Sequence, residues 1–204
     1  GRVAKVVEGE GLRVQVAAHT YGRVVLTDIA DKFTSKPLAA FKEGQFLYCY
    51  VLSVDTAQGR LDLSLRPSRV SPPVAEEEEE REITVVDPEV EDVGELEEGS
   101  IVKGYVLPGS NKGSKGKSSG VFVAISRNVT ARVFVSELSD DYVKDPSVTY
   151  KAGTLVKGRV TKIDQKSGHV EMSLKHSVVS GKKLVTLSDL NKGMKVKGTV
   201  RRVE

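Results

Sequence analysis

Gly168-His169-Val170-Glu171-Met172-Ser173-Leu174-Lys175 closes a unit that the chain has already spelled once, as Gly59-Arg60-Leu61-Asp62-Leu63-Ser64-Leu65-Arg66. In each, a glycine opens a run whose apolar residues fall on every second position. Val170, Met172 and Leu174 alternate with His169, Glu171 and Ser173, the period-two signature of a half-buried antiparallel strand. At the same offset of 109, residues 11–68 and 120–177 align without a gap. Gly11 falls on Gly120, Arg23 on Arg132, Asp31 on Asp140, Pro37 on Pro146, Gly44 on Gly153 and Asp55 on Asp164.

The other strands carry the same period. Val121, Val123 and Ile125 alternate with Phe122 and Ala124, and Val133 and Val135 with Arg132 and Phe134. Gly59 and Gly168 mark tight turns between the last two strands. Residues 31–41 and 140–150 lose the alternation, carry a proline and read as a loop with one short helical turn. Five short strands in about 75 residues, with one irregular crossing between the third and fourth, predict an OB-type closed barrel. Upstream, Val102-Lys103-Gly104-Tyr105-Val106 recurs as Val196-Lys197-Gly198-Thr199-Val200, and Gly1-Arg2-Val3 looks like the tail of the same element. The prediction is an all-β chain of tandem five-stranded OB-fold barrels cut from a longer array. Residues 1–69 form a unit with a truncated first strand, 70–98 an acidic linker, 99–177 a complete unit, and 178–204 a linker plus the opening strand of another.

Charge is divided along the same boundaries. The formal net charge is +3, yet residues 70–98 hold 13 acids, including the five consecutive glutamates 76–80, against the single base Arg81. A block of that kind repels itself and has little to bury, so most of 71–92 is expected to be disordered, or else to mimic nucleic acid for a basic partner. Residues 99–176 carry +7, and the uneven basic charge points to a polyanion partner. The longest apolar run, residues 46–52, is far short of the roughly 20 residues a membrane span needs. No cationic, apolar leader argues for secretion. The single cysteine, Cys49, reads as a small core residue, and no Cys/His cluster has metal-ligand spacing. No cofactor, metal or small-molecule substrate is expected.

The outward positions supply the candidate site. Phe122 and Phe134 leave the core on neighbouring strands, where a stacked base would cover them. Lys103 and Arg132 add charge nearby. Lys112, Lys115 and Lys117 sit among glycines and serines in a loop six residues longer than its counterpart in the first unit. They read as a cationic arm that follows a phosphate backbone, or as a solvated loop. The Gly-x-x-x-x-Gly-Lys-Ser/Thr pattern of a phosphate-cradling loop is absent from this stretch. At the matching positions the first unit has Arg13 and Val25, with Arg23, Tyr21 and Arg60 as weaker candidates. Asp164 and His169 flank a turn with no nucleophile placed beside them, which reads as a turn-stabilising pair and not a catalytic one.

The sequence Gly120-Val121-Phe122-Val123, then Arg132-Val133-Phe134-Val135-Ser136-Glu137-Leu138, Lys162-Ile163-Asp164 and the closing run 168–175 resembles the S1 RNA-binding domain. The first unit resembles it through Thr27-Asp28-Ile29, Gly44-Gln45, Val54-Asp55 and residues 59–66. The resemblance implies RNA contacts from Phe122, Phe134, Asp164 and His169, and Arg13 and Val25 depart from that pattern. Divergent units with an acidic, proline-containing linker are similar to those of eukaryotic nuclear S1 arrays. That implies a non-catalytic, nucleolar region binding single-stranded or irregular precursor ribosomal RNA, with ribosome-assembly proteins as partners and no membrane. The alternative is a set of accessory RNA-binding or protein-interaction domains of a ribonuclease or another RNA-metabolism enzyme.

Overall fold

The computed structural model describes residues 1–70, 90–109, 120–141, 143, 146–165 and 168–180. The fold is all-β, a closed five-stranded barrel preceded by a second five-stranded sheet. The first sheet consists of β1 (Arg2–Val7), β2 (Gly11–Ala17), β3 (Thr20–Val25), β4 (Tyr50–Asp55) and β5 (Arg60–Ser64), in the order β1-β2-β3-β5-β4. The barrel consists of β6 (Ile101–Val106), β7 (Val121–Ala124), β8 (Thr130–Val133), β9 (Leu155–Asp164) and β10 (His169–Ser173). It runs β10-β8-β7-β6-β9 and closes where β9 pairs with β10. All pairings are antiparallel except β3 with β5 and β8 with β10.

The alternating valines fill the cores. Val121, Val123, Ala131, Val133, Val170 and Met172 are all at most 1% exposed inside the barrel, as apolar residues on a pleated inner face should be. Val3, Leu12, Val14, Val24, Leu26 and Leu63 do the same under the first sheet. Irregularities recur at the offset of 109 as well. The β9–β10 ladder slips between Glu171 and Met172, and the β4–β5 ladder slips at the equivalent place, between Val51 and Ser53. Asp31 binds the backbone N–H and hydroxyl of Ser68, and Asp140 binds those of Ser177. Gly1 exchanges hydrogen bonds with Leu47 and Arg2 bridges to Phe46, the register that Gly104 and Tyr105 keep with Val156 and Leu155.

Several expectations need correction. Strand β8 ends at Val133, and residues 135–137 form a 3₁₀ turn, with the Glu137 N–H donating to the Phe134 carbonyl at 2.8 Å. The carbonyl of Glu137 is then taken by the Leu174 N–H, also at 2.8 Å. This junction folds over the end of β10, so Ser173 is fully buried where strict alternation faces it outward, as is Ser64.

Cys49 is half-buried, and burial pushes its thiol pKa up. The apolar run around it alternates: Leu47 and Cys49 pack on the core, while Phe46 and Tyr48 are 81% and 88% exposed. The expected linker also contributes to the barrel core, since Val90 and Leu96 are buried in it. Most of the linker, the residues 112, 115 and 117 of the lysine arm, and nearly all of 178–204 lie outside the described residues.

Between the sheet and the barrel stands Tyr105. It belongs to β6 yet packs among the apolar residues of the first sheet, its ring 5.3 Å from that of Phe33. Leu155 joins it there, and Gly153 approaches Gly9 so closely that a side-chain carbon on Gly9 would sit 2.6 Å from Ala152.

Candidate nucleic-acid interface

The pairing register assembles the outer face of the barrel row by row. Phe122 on β7 lies directly opposite Arg132 on β8, Arg132 opposite Glu171 on β10, and Glu171 opposite Lys162 on β9. Phe134 follows two residues after Arg132, opposite Gly120 just before β7. The Arg132 guanidinium stands 4.5 Å over the Phe134 ring, a cation–π contact that fixes both groups. Phe122 is 38% exposed. The result is a ring, a guanidinium plane and a second ring in sequence across two strands, flanked by Glu171 and Lys162.

Gly120 makes this arrangement possible. Its φ is +114°, and a side-chain carbon there would fall 2.1 Å from the Val133 carbonyl oxygen and 3.2 Å from the Phe134 Cα. Any other residue would push β7 and β8 apart at Phe134. Gly11 holds the equivalent position in the first sheet, at 2.0 Å from the Val24 carbonyl oxygen.

One row further along, Asp164 and His169 face each other across the β9–β10 hairpin. Parallel pairing of β8 and β10 sets His169 alongside Thr130, which is itself opposite Ala124. These residues share the outer face with Phe122 and Arg132. Lys103 does not join them. It pairs with Lys157 on the β6–β9 side, and the register places Leu107, whose N–H donates to the Phe122 carbonyl at 2.9 Å, next to the ring.

The first sheet builds a different surface from the same rows. Arg13 is opposite Arg23, Arg23 opposite Asp62, and Asp62 opposite Ser53. Arg23 Nε donates to Asp62 Oδ1 at 2.5 Å, and the Ser53 hydroxyl to Oδ2 at 3.1 Å. The Arg23 hydrogen bond holds the Asp62 carboxyl below its usual range, against a smaller opposing effect of burial. Tyr21 is half-exposed opposite Gln15. Arg60 is engaged at its turn, donating to Gln58 Oε1 at 3.3 Å, while Asp55 accepts the Gln58 N–H at 3.0 Å. With no aromatic ring in the row, this surface offers charge without a stacking platform.

Sequence reasoning missed Glu171 and Asp62, the acids within the two rows, Lys162 at the end of the barrel's row, and Arg127, in the β7–β8 turn. The first two had a visible signal, because the offset pairs one acid with the other. Arg127 had none. Among the described residues, no group of three or more His, Cys, Asp and Glu side chains is placed to hold a metal ion.

A five-stranded barrel carrying aromatic and basic side chains on one outer face is the architecture of an oligonucleotide-binding module. Residues 95–175 match the family model of the S1 RNA binding domain, and the barrel belongs to that family. The chain as a whole is similar to "rRNA biogenesis protein RRP5" of Arabidopsis thaliana, 34% identical over 94% of this chain and 10% of that protein. It is likewise similar to "rRNA biogenesis protein rrp5" of Schizosaccharomyces pombe, 32% identical over 100% of the chain and 11% of the relative. "Protein RRP5 homolog" of Homo sapiens, also called programmed cell death protein 11, is 31% identical over 85% of the chain. The phrasing of residues 27–33, 37–38 and 59–66 is similar to that protein. The chain spans about a tenth of the length of these relatives.

Proposed function

We propose that this chain is a non-catalytic RNA-binding region of a ribosome-assembly factor that holds precursor ribosomal RNA during its processing in the nucleolus. The observation that carries the reading is the row Phe122–Arg132–Phe134 on an S1 barrel, in a chain whose similar proteins are named for ribosomal RNA biogenesis. Bases stack on Phe122 and Phe134, each worth about 1–3 kcal/mol. Asp164 and His169 accept from and donate to the RNA strand beside them, and the lysines at 112, 115 and 117 neutralise phosphates. Little base-edge readout is available to one such surface, so the unit reads single-stranded or irregular RNA by shape and charge.

The same reading takes the first sheet as a second, divergent S1 unit with 70–98 as an acidic linker, and 178–204 as the approach to a third. Support comes from the ladder slip and the Asp–Ser tie, which recur at the offset of 109, and from the edge register, which recurs with its first strand at an offset of 103 because the loop after it is six residues longer. Several weak units on one chain gain through effective concentration. Ribosome-assembly proteins are the expected companions on surfaces that RNA leaves uncovered. The test is in-cell RNA crosslinking mapped to both nucleotide and residue. Crosslinks to precursor ribosomal RNA concentrated at Phe122 and Phe134 are expected, and crosslinks confined to other RNA classes or to protein would overturn the reading.

A further inference from the structure

Docking of the barrel on the first sheet leaves a cleft between them, formed by two adjoining pockets of about 380 and 190 Å³. Arg13 and Arg23 line it from the first sheet, and Arg127 with Thr130 and Ala124 from the barrel. Glu10 is the acid on its wall. Arg23 is tied to Asp62, but Arg13 has no hydrogen-bonded or ion-paired partner among the described residues. Arg127 is more unusual: its Nη1 is buried and has no hydrogen-bond acceptor among the described residues. Buried guanidinium N–H groups ordinarily find one. Arg127 nonetheless lies close enough to the Arg23–Asp62 pair to help hold that carboxyl ionised, so the three guanidinium groups of Arg13, Arg23 and Arg127 outnumber the Asp62 and Glu10 carboxylates at the cleft.

Position decides what the cleft is for. Ala124 follows Phe122 by two residues on the same outer face of β7, and Thr130 sits opposite it on β8. Both line the cleft. A strand stacked on Phe122 therefore leads over Ala124 and Thr130 into the arginines without leaving the surface. We propose that the cleft is a phosphodiester-binding site, in which Arg127 and Arg13 take the backbone of the same RNA strand that stacks on the barrel. Planar guanidinium forks match phosphate oxygens in pairs, and a phosphate brings Arg127 an acceptor that the described residues do not. This inference rests on the RNA-binding reading above and extends it. The first sheet, which lacks the rings, contributes through its edge with the barrel.

The test is titration of a labelled single-stranded RNA of mixed sequence with the whole 204-residue chain over a range of salt concentrations. Arg127→Met and Arg13→Met keep the aliphatic stems and remove the charge. Each is expected to weaken binding about three- to tenfold at low salt and to flatten the slope of log affinity against log salt by about 0.7 for each phosphate no longer neutralised. Arg127→Lys retains most of the slope. Phe122→Ala with Phe134→Ala weakens binding with the slope kept. If both methionine variants, folded by thermal melting, bind with wild-type affinity and slope while the phenylalanine variant is impaired, the cleft proposal is overturned and the platform reading stands. Failure of the unmodified chain to bind RNA overturns both. Capture of a glutamate-rich peptide through Arg127, with RNA binding indifferent to it, makes the cleft a protein site and also overturns the proposal.

Discussion

Tyr105 and Thr34 are joined twice, across 71 positions of sequence: the Tyr105 hydroxyl donates to the Thr34 carbonyl and accepts the Thr34 N–H, both at 3.0 Å. One phenol thus satisfies both backbone groups of a loop residue in the first sheet from a strand of the barrel. Its ring leans on Phe33, whose other neighbour is the buried Arg66, with the guanidinium 5.9 Å from the Phe33 centroid. Arg66 in turn donates to the Thr27 carbonyl at 2.8 and 3.1 Å and lies 3.8 Å from Asp28. A single side chain of the barrel is thereby anchored into the polar and apolar framework of the first sheet.

Replacing Tyr105 by Phe keeps the ring and strands the Thr34 N–H and carbonyl, at a cost of about 1–2 kcal/mol. Tyr105→Ala removes the ring as well and costs about 3–5 kcal/mol. Chemical denaturation measures both. The alanine variant is expected to unfold in two steps, the sheet apart from the barrel, and a single unshifted transition would contradict the anchoring role.

Phe122 is accessible and structurally peripheral, so Phe122→Ala is expected to cost binding and spare stability. The loss for a single-stranded RNA is about 1–3 kcal/mol, or roughly 5- to 150-fold, with a melting temperature close to that of the parent. Arg132→Ala removes the cation over Phe134 and is expected to weaken binding as well, whereas Arg132→Lys restores charge without the planar stack and recovers only part of it. Fluorescence anisotropy reads the affinities, and an unchanged affinity in Phe122→Ala would remove the platform from the mechanism.

The face was legible in the sequence to the extent that it depends on local alternation. Phe122, Arg132 and His169 point outward because their strand neighbours Val121, Val133 and Val170 must point in, and period two needs no tertiary knowledge. What alternation does not contain is where a strand stops. Val135 reads as a strand position, yet the chain turns at Phe134 because the Glu137 carbonyl is required by Leu174, 37 residues on. Lys103 reads as a neighbour of the ring because the repeat places it in the first strand. Only the β6–β7 register shows that it lies about four residues along the strand from Phe122, on the order of 13 Å. Tyr105 and Arg127 acquire their roles from the packing of one unit on the other, which no period within a unit encodes.

The Asp62 carboxyl is bonded to Arg23 in the outer row of the first sheet, and its pKa is depressed in the folded state, chiefly by the Arg23 hydrogen bond. A depressed carboxylate contributes stability that is present above its unfolded value of about 3.9 and fades as pH falls through the folded value. Asp62→Asn is therefore expected to destabilise the chain at neutral pH by no more than about 1 kcal/mol, since the pair is partly exposed and screened by solvent. The difference between variant and parent should shrink towards zero as the solution is taken below pH 3. Denaturation midpoints at pH 7 and in strong acid measure it, and a difference that persisted in acid would assign the effect to packing instead of charge.

Two glycines with positive φ separate turn preference from close contact. Gly168, at φ +68° in the β9–β10 turn, has, beyond its own chain neighbours and among the described residues, nothing within 4 Å of where a side-chain carbon would be. Gly168→Ala therefore suffers only the left-handed backbone cost, about 1 kcal/mol. Gly120, at φ +114°, has the Val133 carbonyl oxygen 2.1 Å from that point and the Phe134 Cα 3.2 Å from it. Gly120→Ala forces backbone to move against backbone and is expected to cost more than about 2 kcal/mol. It also displaces Phe134 relative to Phe122, so RNA affinity falls in Gly120→Ala and holds in Gly168→Ala. Denaturation and RNA titration on the two variants side by side provide the check: equal losses of stability, or a Gly120→Ala protein that binds RNA as the parent does, would mean that the close approach at Gly120 does not set the geometry of the platform.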